Sequence, residues 1–217
     1  MTRGERMRTM IAIPCMDMMP VPFVRSLLYL NKGDEDRVIM SSSSLVYDSR
    51  NQLLEKAIGY GFDRILWLDS DMDFPIFTMD LLHEDLDAGH EIVSGLYFKR
   101  RKPFSPVVFK ECCLVEKDGA KVPTAECYAD YPKDSLFECA AFGFGCCMMT
   151  VGAAKRICET LGKWPFMPVS GFGEDMSFCM RARHAGIRLW CDSRLKVGHV
   201  GYKTFDETDY AGGDINA

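Results

Sequence analysis

Three aspartates at alternate positions, Asp69, Asp71 and Asp73, follow directly on the apolar run Arg64–Leu68. Carboxylates this close repel one another, and at the end of a buried strand they cost stability unless cations compensate them. Asp69 and Asp71 can approach one divalent ion directly or through water, with Ser70 between them directed elsewhere. Hard oxygen donors of this kind suit Mg2+ or Mn2+. The competing reading is an acidic turn ahead of the helix after Pro75, with Asp73 as its cap.

Three further features could join them. Arg50 falls in the first turn of a helix expected to start near Asp48, where the helix dipole disfavours a cation. Its place there makes sense if it faces an anion such as a phosphate, or if it pairs with a nearby acid. Ser170–Gly171–Phe172–Gly173–Glu174–Asp175 is a glycine-flanked loop leading into a helix with two acidic residues at its start. Acids are favoured there by the dipole alone. In a functional reading one of them is a general base for an acceptor hydroxyl, kept ionised near neutral pH by that dipole. His199 stands between Gly198 and Gly201, after the short strand Lys196–Val197, and small neighbours leave its imidazole free to be a metal ligand. A lone histidine is more often a satisfied structural residue.

The remaining candidates read more simply. His83, His90 and His184 lie on or beside helices, and the run Lys99–Lys102 reads first as a solvated loop and second as a phosphate or acceptor contact. Phe62, Trp67 and Trp190 read as core.

The elements that must hold these residues alternate along the first half. Strands are expected at Thr9–Pro14, Arg37–Ser41 and Arg64–Leu68, with a fourth beginning at Ile92–Ser94. Helices are expected over Val21–Leu30, Asp48–Tyr60 and Ile76–Ala88. This spacing means βαβ units and a largely parallel sheet, whose ligand sites lie at the carboxyl ends of the strands. The DSDMD run is at such an end. Beyond Lys99 the pattern turns to short β-like pieces (Val107–Phe109, Cys113–Val115), the FGFG segment Phe142–Gly145 and the apolar run Cys146–Val151. Helices are expected over Ala153–Leu161 and Glu174–His184, with a strand at Ile187–Cys191. The acidic, glycine-rich tail from Asp206 is expected to be mobile without a ligand.

Composition sets the outer bounds. With 217 residues, 47% hydrophobic and 26% charged, the chain suits one α/β domain with a real core. A net charge of −5 and a pI of about 5.4 argue against a general nucleic-acid binder. The ten cysteines include no CxxC and two adjacent pairs, Cys112–Cys113 and Cys146–Cys147, so they read as reduced, mostly buried small hydrophobes. No signal peptide or 18-residue apolar stretch is evident, so a cytoplasmic protein with no transmembrane segment is expected.

In order along the chain, IAIP, SRN (Ser49–Asn51), ILWLDSDMDFP, IVSGLYFKRRKP, GFGCCMM and GEDMSFCMRARHAGIRLWCDSRLKVGHVG resemble a GT-A type glycosyltransferase of the family 2-like group, over about residues 9–203. The resemblance implies a Rossmann-like, mostly parallel central sheet flanked by helices, with a small antiparallel region on the acceptor side. It divides the domain into a nucleotide-sugar-binding half (about 9–98) and an acceptor and catalytic half (about 99–205), with a flexible tail (206–217). It implies that Asp69, Asp71 and His199 hold Mn2+ or Mg2+, the imidazole tilting the choice to Mn2+. Pro14, Cys15 and Arg50 would face the donor nucleotide, a nucleoside-diphosphate sugar, with Asp69 and Ser70 beside them. Asp175, or else Glu174, would be the base near an unknown acceptor hydroxyl, and a base there implies inversion. Glu111–Leu136, where acceptor specificity should lie, matches no known pattern.

Two other enzyme classes fit less well. A sugar nucleotidyltransferase needs a glycine-rich basic loop after the first strand, where this chain has PCMDMMP. A haloacid-dehalogenase-like phosphatase needs its DxD on the first strand. The rival from another class is a catalytically silent nucleotide-sugar binding module, which has no need of Asp175.

Overall fold

In the computed structural model, which describes residues 7–117, 119–169, 171–201 and 204–207, β1 (Thr9–Pro14) is buried along its whole length. An apolar run of this kind needs strands on both sides, and β2 (Arg37–Ser41) and β3 (Arg64–Leu68) flank it, both parallel. Beyond β3 come β10 (Cys146–Thr150), β5 (Ile92–Leu96), β11 (Leu189–Lys196) and β8 (Leu136–Cys139), in the order β2-β1-β3-β10-β5-β11-β8.

The sheet is mostly parallel, as expected, but mixed: β2, β1, β3, β5 and β11 run one way and β10 and β8 the other. β10 is antiparallel to both β3 and β5, and β8 is antiparallel to β11. The cause is topological. The chain returns to the sheet from the FGFG segment at the carboxyl end of β3, and so must run back down. Local patterning does not reveal that direction.

Alternation along the strands sends side chains to two faces. Met10, Ala12, Ile65 and Trp67 pack with α2 (Val46–Gly59), α4 (Val151–Leu161) and α5 (Glu174–His184). Ile11, Ile13, Leu66 and Leu68 pack with α1 (Val21–Tyr29) and α3 (Thr78–Asp87). The result is an α/β fold with helices on both faces of the sheet. Pro22 sits in the first two positions of α1, where a missing N–H costs nothing.

Some boundaries shift. α2 begins at Val46, ahead of the expected Asp48, so Arg50 lies in its second turn, not its first. The serine tract hides the start, because Leu45 is the N-cap and no side chain caps the helix. The short β-like pieces after Val107 form one strand, β6 (Val108–Lys117), paired antiparallel with β7 (Ala120–Cys127) and β9 (Ala141–Phe142). This is the small antiparallel region. It packs on α5, where the Arg183 guanidinium donates to the Cys112 carbonyl at 3.1 Å.

A third sheet, β13-β12-β4, matters most for the site. β4 (Met72–Asp73) pairs antiparallel with β12 (Gly198–Val200), which also pairs with β13 (Thr204–Phe205). All ten cysteines are free thiols; six are buried and Cys113 is exposed. Trp190, read as core, is only half-buried and lies against His90 and Arg188. No helix among the described residues is long and apolar enough to cross a membrane. Of the expected mobile tail, 208–217 lie outside the described residues, as does Ser170.

Candidate active site

β3 delivers Asp69 to the carboxyl edge of the sheet, where its backbone N–H donates to the Gly145 carbonyl at 3.0 Å. The chain turns through Ser70 and Asp71 into β4. There β12 meets it: the register sets His199 opposite Met72, and the Val200 N–H donates to the Asp71 carbonyl at 2.7 Å. This pairing carries an imidazole about 130 residues along the chain to the aspartate turn, with His199 Nε2 3.4 Å from Asp71 Oδ2. Gly198 is required by closeness: a Cβ there would lie 2.4 Å from Thr204 Cγ2.

The His199 ring is fixed on two sides. Nδ1 is 2.9 Å from the Phe98 carbonyl, which makes it the protonated nitrogen, and Tyr97 packs edge-on at 5.6 Å between centroids. Nε2 therefore faces a carboxylate oxygen, lone pair against lone pair unless a proton or a cation lies between them. Only a proton or a cation satisfies two facing lone pairs, and an imidazole with carboxylates is a donor set suited to Mn2+.

Asp69 is engaged differently. Its carboxylate accepts from Arg50 Nη2 at 2.9 and 3.3 Å. The three expected ligands thus border one cavity, but only Asp71 and His199 touch. Among the described residues no group of three His, Cys, Asp or Glu side chains has converged to hold an ion.

Arg50 is 1% exposed and links three acids, with Nη2 also 3.5 Å from Asp175 Oδ1 and Nε 3.7 Å from Glu174 Oε1. Phe144 and Phe166 cover its guanidinium at 5.3 and 5.9 Å. Burial works against its charge, and Asp69, Asp175 and Glu174 more than restore it. Expected to face the donor, Arg50 instead lies behind the acids and does not border the cavity.

That cavity, of about 510 Å3, is lined by Asp69, Asp71, Asp175 and His199 together with Met72, Tyr97, Val107, Lys99, Arg100 and Arg101. Of the two acids opening α5, Asp175 reaches it and Glu174 does not. The expectation that the helix dipole keeps Asp175 ionised near neutral pH needs correction. Although 27% of the side chain is exposed, Oδ1 is buried without a hydrogen-bond partner. Burial raises the carboxyl against the pull of Arg50 and a Phe144 backbone hydrogen bond, Glu174 and Asp69 raise it further, and it is pushed up to about 7. Asp69 is also raised, by burial first, against Arg50. Asp71 is lowered, because the hydrogen bond and charge of His199, with Arg100, overcome its burial.

The other expected residues stand nearby. Ala12 pairs with Trp67, so two residues on Pro14 stands level with Asp69. Pro14 is buried, Cys15 is half-buried with its N–H donating to the Ser41 carbonyl at 3.0 Å, and Ser70 is half-buried in its turn. None of the three borders the cavity. Asp73 does not cap α3. It accepts from Ser26 Oγ at 2.7 Å and from Arg25, and so docks α1.

Sequence reasoning missed Tyr97, Phe144 and Phe166, and read the basic run first as solvent-facing. The usable signal for the aromatics was FGFG. A Cβ on Gly143 would lie 1.9 Å from Tyr97 Oη, and one on Gly145 2.5 Å from Met72 Cε. The two glycines admit Tyr97 and Met72, and Phe144 between them reaches Arg50.

No protein-family model matches the chain, and no curated protein does. Among solved structures, the crystal structure of A197 from STIV is similar over 90% of this chain and 86% of that one, with a TM-score of 0.62 and 19% identity. At that identity the likeness concerns the fold alone: both chains have the same kind of α/β architecture.

Proposed function

We propose that the protein is a metal-dependent glycosyltransferase of the GT-A type, moving a sugar from a nucleoside-diphosphate sugar to an acceptor hydroxyl with inversion. The observation that carries this reading is the meeting of Asp71 with His199 in the cavity that Asp175 also borders. Asp69, Asp71 and His199 would hold a divalent cation there, which would supply positive charge against the charge growing on the departing diphosphate.

The chain's own residues do the rest. The Asp175 carboxylate takes the proton of the acceptor hydroxyl as its oxygen attacks the anomeric carbon. The bond from that carbon to the diphosphate oxygen breaks, and its electron pair leaves with the nucleoside diphosphate. A carboxyl near 7 suits a base, since at neutral pH its ionised and protonated forms are comparably populated and the ionised form holds an incoming proton well. Arg50 fixes the distance between Asp69 and Asp175, while β6 and β7, packed on α5, border the acceptor side.

Incubation with Mn2+ and a panel of nucleotide sugars, following free nucleoside diphosphate, tests the reading. Release is expected in wild type and is lost in Asp175→Asn, whereas Asp71→Ala loses Mn2+-dependent donor binding in calorimetry with the fold retained. Tight donor binding with no release, unchanged in D175N, would show a silent binding module instead. The Arg50 clasp on Asp69 favours that second reading, because it occupies a carboxylate the metal would use.

A further inference from the structure

Asp71 Oδ2 is shared by two cationic or proton-bearing groups. Arg100 Nη1 lies 2.9 Å from it and His199 Nε2 3.4 Å. The same Arg100 nitrogen donates to the Val200 carbonyl at 2.9 Å, so one guanidinium bridges the aspartate turn and β12. A carboxylate oxygen has two lone pairs. A cation held by Asp71 and His199 therefore draws on an oxygen that Arg100 already occupies.

Arg100 differs from Arg50 in what holds it. Its side chain is 46% exposed, against 1% for Arg50, so it can swing at little cost in packing. Lys99 and Arg101 border the same cavity, and among the described residues neither has an ion-pair partner within 4.0 Å. The three bring positive charge to the cavity that Asp69, Asp71 and Asp175 also line. An arginine released into that cavity meets the place where a diphosphate's negative charge would come, and a guanidinium matches phosphate oxygens in pairs.

We propose that Arg100 competes with a divalent cation for Asp71 Oδ2, and that the donor's diphosphate ends the competition by taking the guanidinium. This rests on the glycosyltransferase reading and adds a role for a residue outside the expected site. Arg100 is a positioning residue: it guards Asp71 until both cation and diphosphate are present. Each then raises the affinity of the other, as linkage requires.

Electron paramagnetic resonance of free Mn2+, titrated with the full 217-residue chain, reads cation binding without any nucleotide. Arg100→Gln keeps an amide donor for the Val200 carbonyl but carries no charge. It is expected to bind Mn2+ roughly fivefold or more tightly than wild type, with Arg100→Lys close to wild type. With inorganic pyrophosphate present the order reverses, and R100Q binds the Mn2+–pyrophosphate complex more weakly. Mn2+ binding by R100Q that is unchanged or weaker, in a protein melting as wild type does, overturns the proposal. Arg100→Met serves the same comparison if the glutamine form is unstable. If wild type binds Mn2+, loses it in Asp71→Ala and is unmoved by R100Q, only the role of Arg100 falls. If none of these proteins binds Mn2+, the metal-dependent reading falls with it.

Discussion

Arg50 shows how one residue can decide whether a site exists. Three carboxylates lie around a guanidinium that water does not reach, and removing the cation leaves them uncompensated. Arg50→Ala is expected to destabilise the fold by about 3–5 kcal/mol, the usual consequence of breaking a buried ion pair, as read from urea denaturation. Asp175 carries the opposite tension. Its ordinary value is 3.8 and its folded value about 7, so the folded state holds a proton that the unfolded state has given up. Stability therefore falls as pH rises from about 4 to 7. Asp175→Asn should gain stability at pH 8 while losing transfer, and wild-type turnover should rise through pH 7. A turnover rate flat between pH 6 and 8 would remove Asp175 as the base.

At the scale of elements, the FGFG segment and the β4–β12 pairing set the geometry. Gly143→Ala is expected to push Tyr97 off its seat against His199, lowering the melting temperature and weakening Mn2+ binding together. A normal Mn2+ affinity in that variant would show that Tyr97 does not position the imidazole. The link between α3 and β11 is a buried charge cluster, in which Arg194 Nη2 lies 2.8 Å from Asp85 and 2.9 Å from Asp192. Burial, then Asp192, push the Asp85 carboxyl up to about 7, so it too costs stability as pH rises from about 4 to 7. Asp85→Asn should flatten the pH dependence of unfolding in that window and leave the Asp175 part. Much of this scale was legible in advance. β1 and β3 follow from buried apolar runs, β2 from a short apolar run at the sheet edge and α5 from a glycine-flanked acidic start, because those signals are local. The antiparallel course of β10, the bridge from Arg100 to Asp71 and the burial of Arg50 were not legible. Each depends on residues far apart in sequence whose meeting no periodicity encodes.

For the molecule as a whole, the sheet and the site are separable constructions. The overall fold resembles that of A197 from STIV at 19% identity, which fits an architecture maintained by pattern and volume more than by particular side chains. The site depends on the small β13-β12-β4 sheet, and the chain after it is tied back at Glu207. Tyr131 Oη donates to that carboxylate at 2.8 Å, and Lys133 and Lys196 pair with it at 3.0 and 2.9 Å. Its burial is outweighed by hydrogen bonds from Lys196, Lys133 and Tyr131, which hold it down at about 2. The tie is therefore fully formed above about pH 4.5 and lost as pH falls through 2. Glu207→Gln should loosen β13 without unfolding the main sheet, seen as faster amide exchange at His199 and Val200 with little change at β1. Equal acceleration at both would mean that the two sheets open as one.

Because β11 is the last strand to enter the main sheet and β12 follows it, the order of synthesis has a consequence. A growing chain can finish its scaffold, with two aspartates already at the rim, before the histidine emerges. Loss of only the final stretch, by proteolysis or premature termination, would leave the main sheet whole and the aspartate turn without the imidazole that faces Asp71.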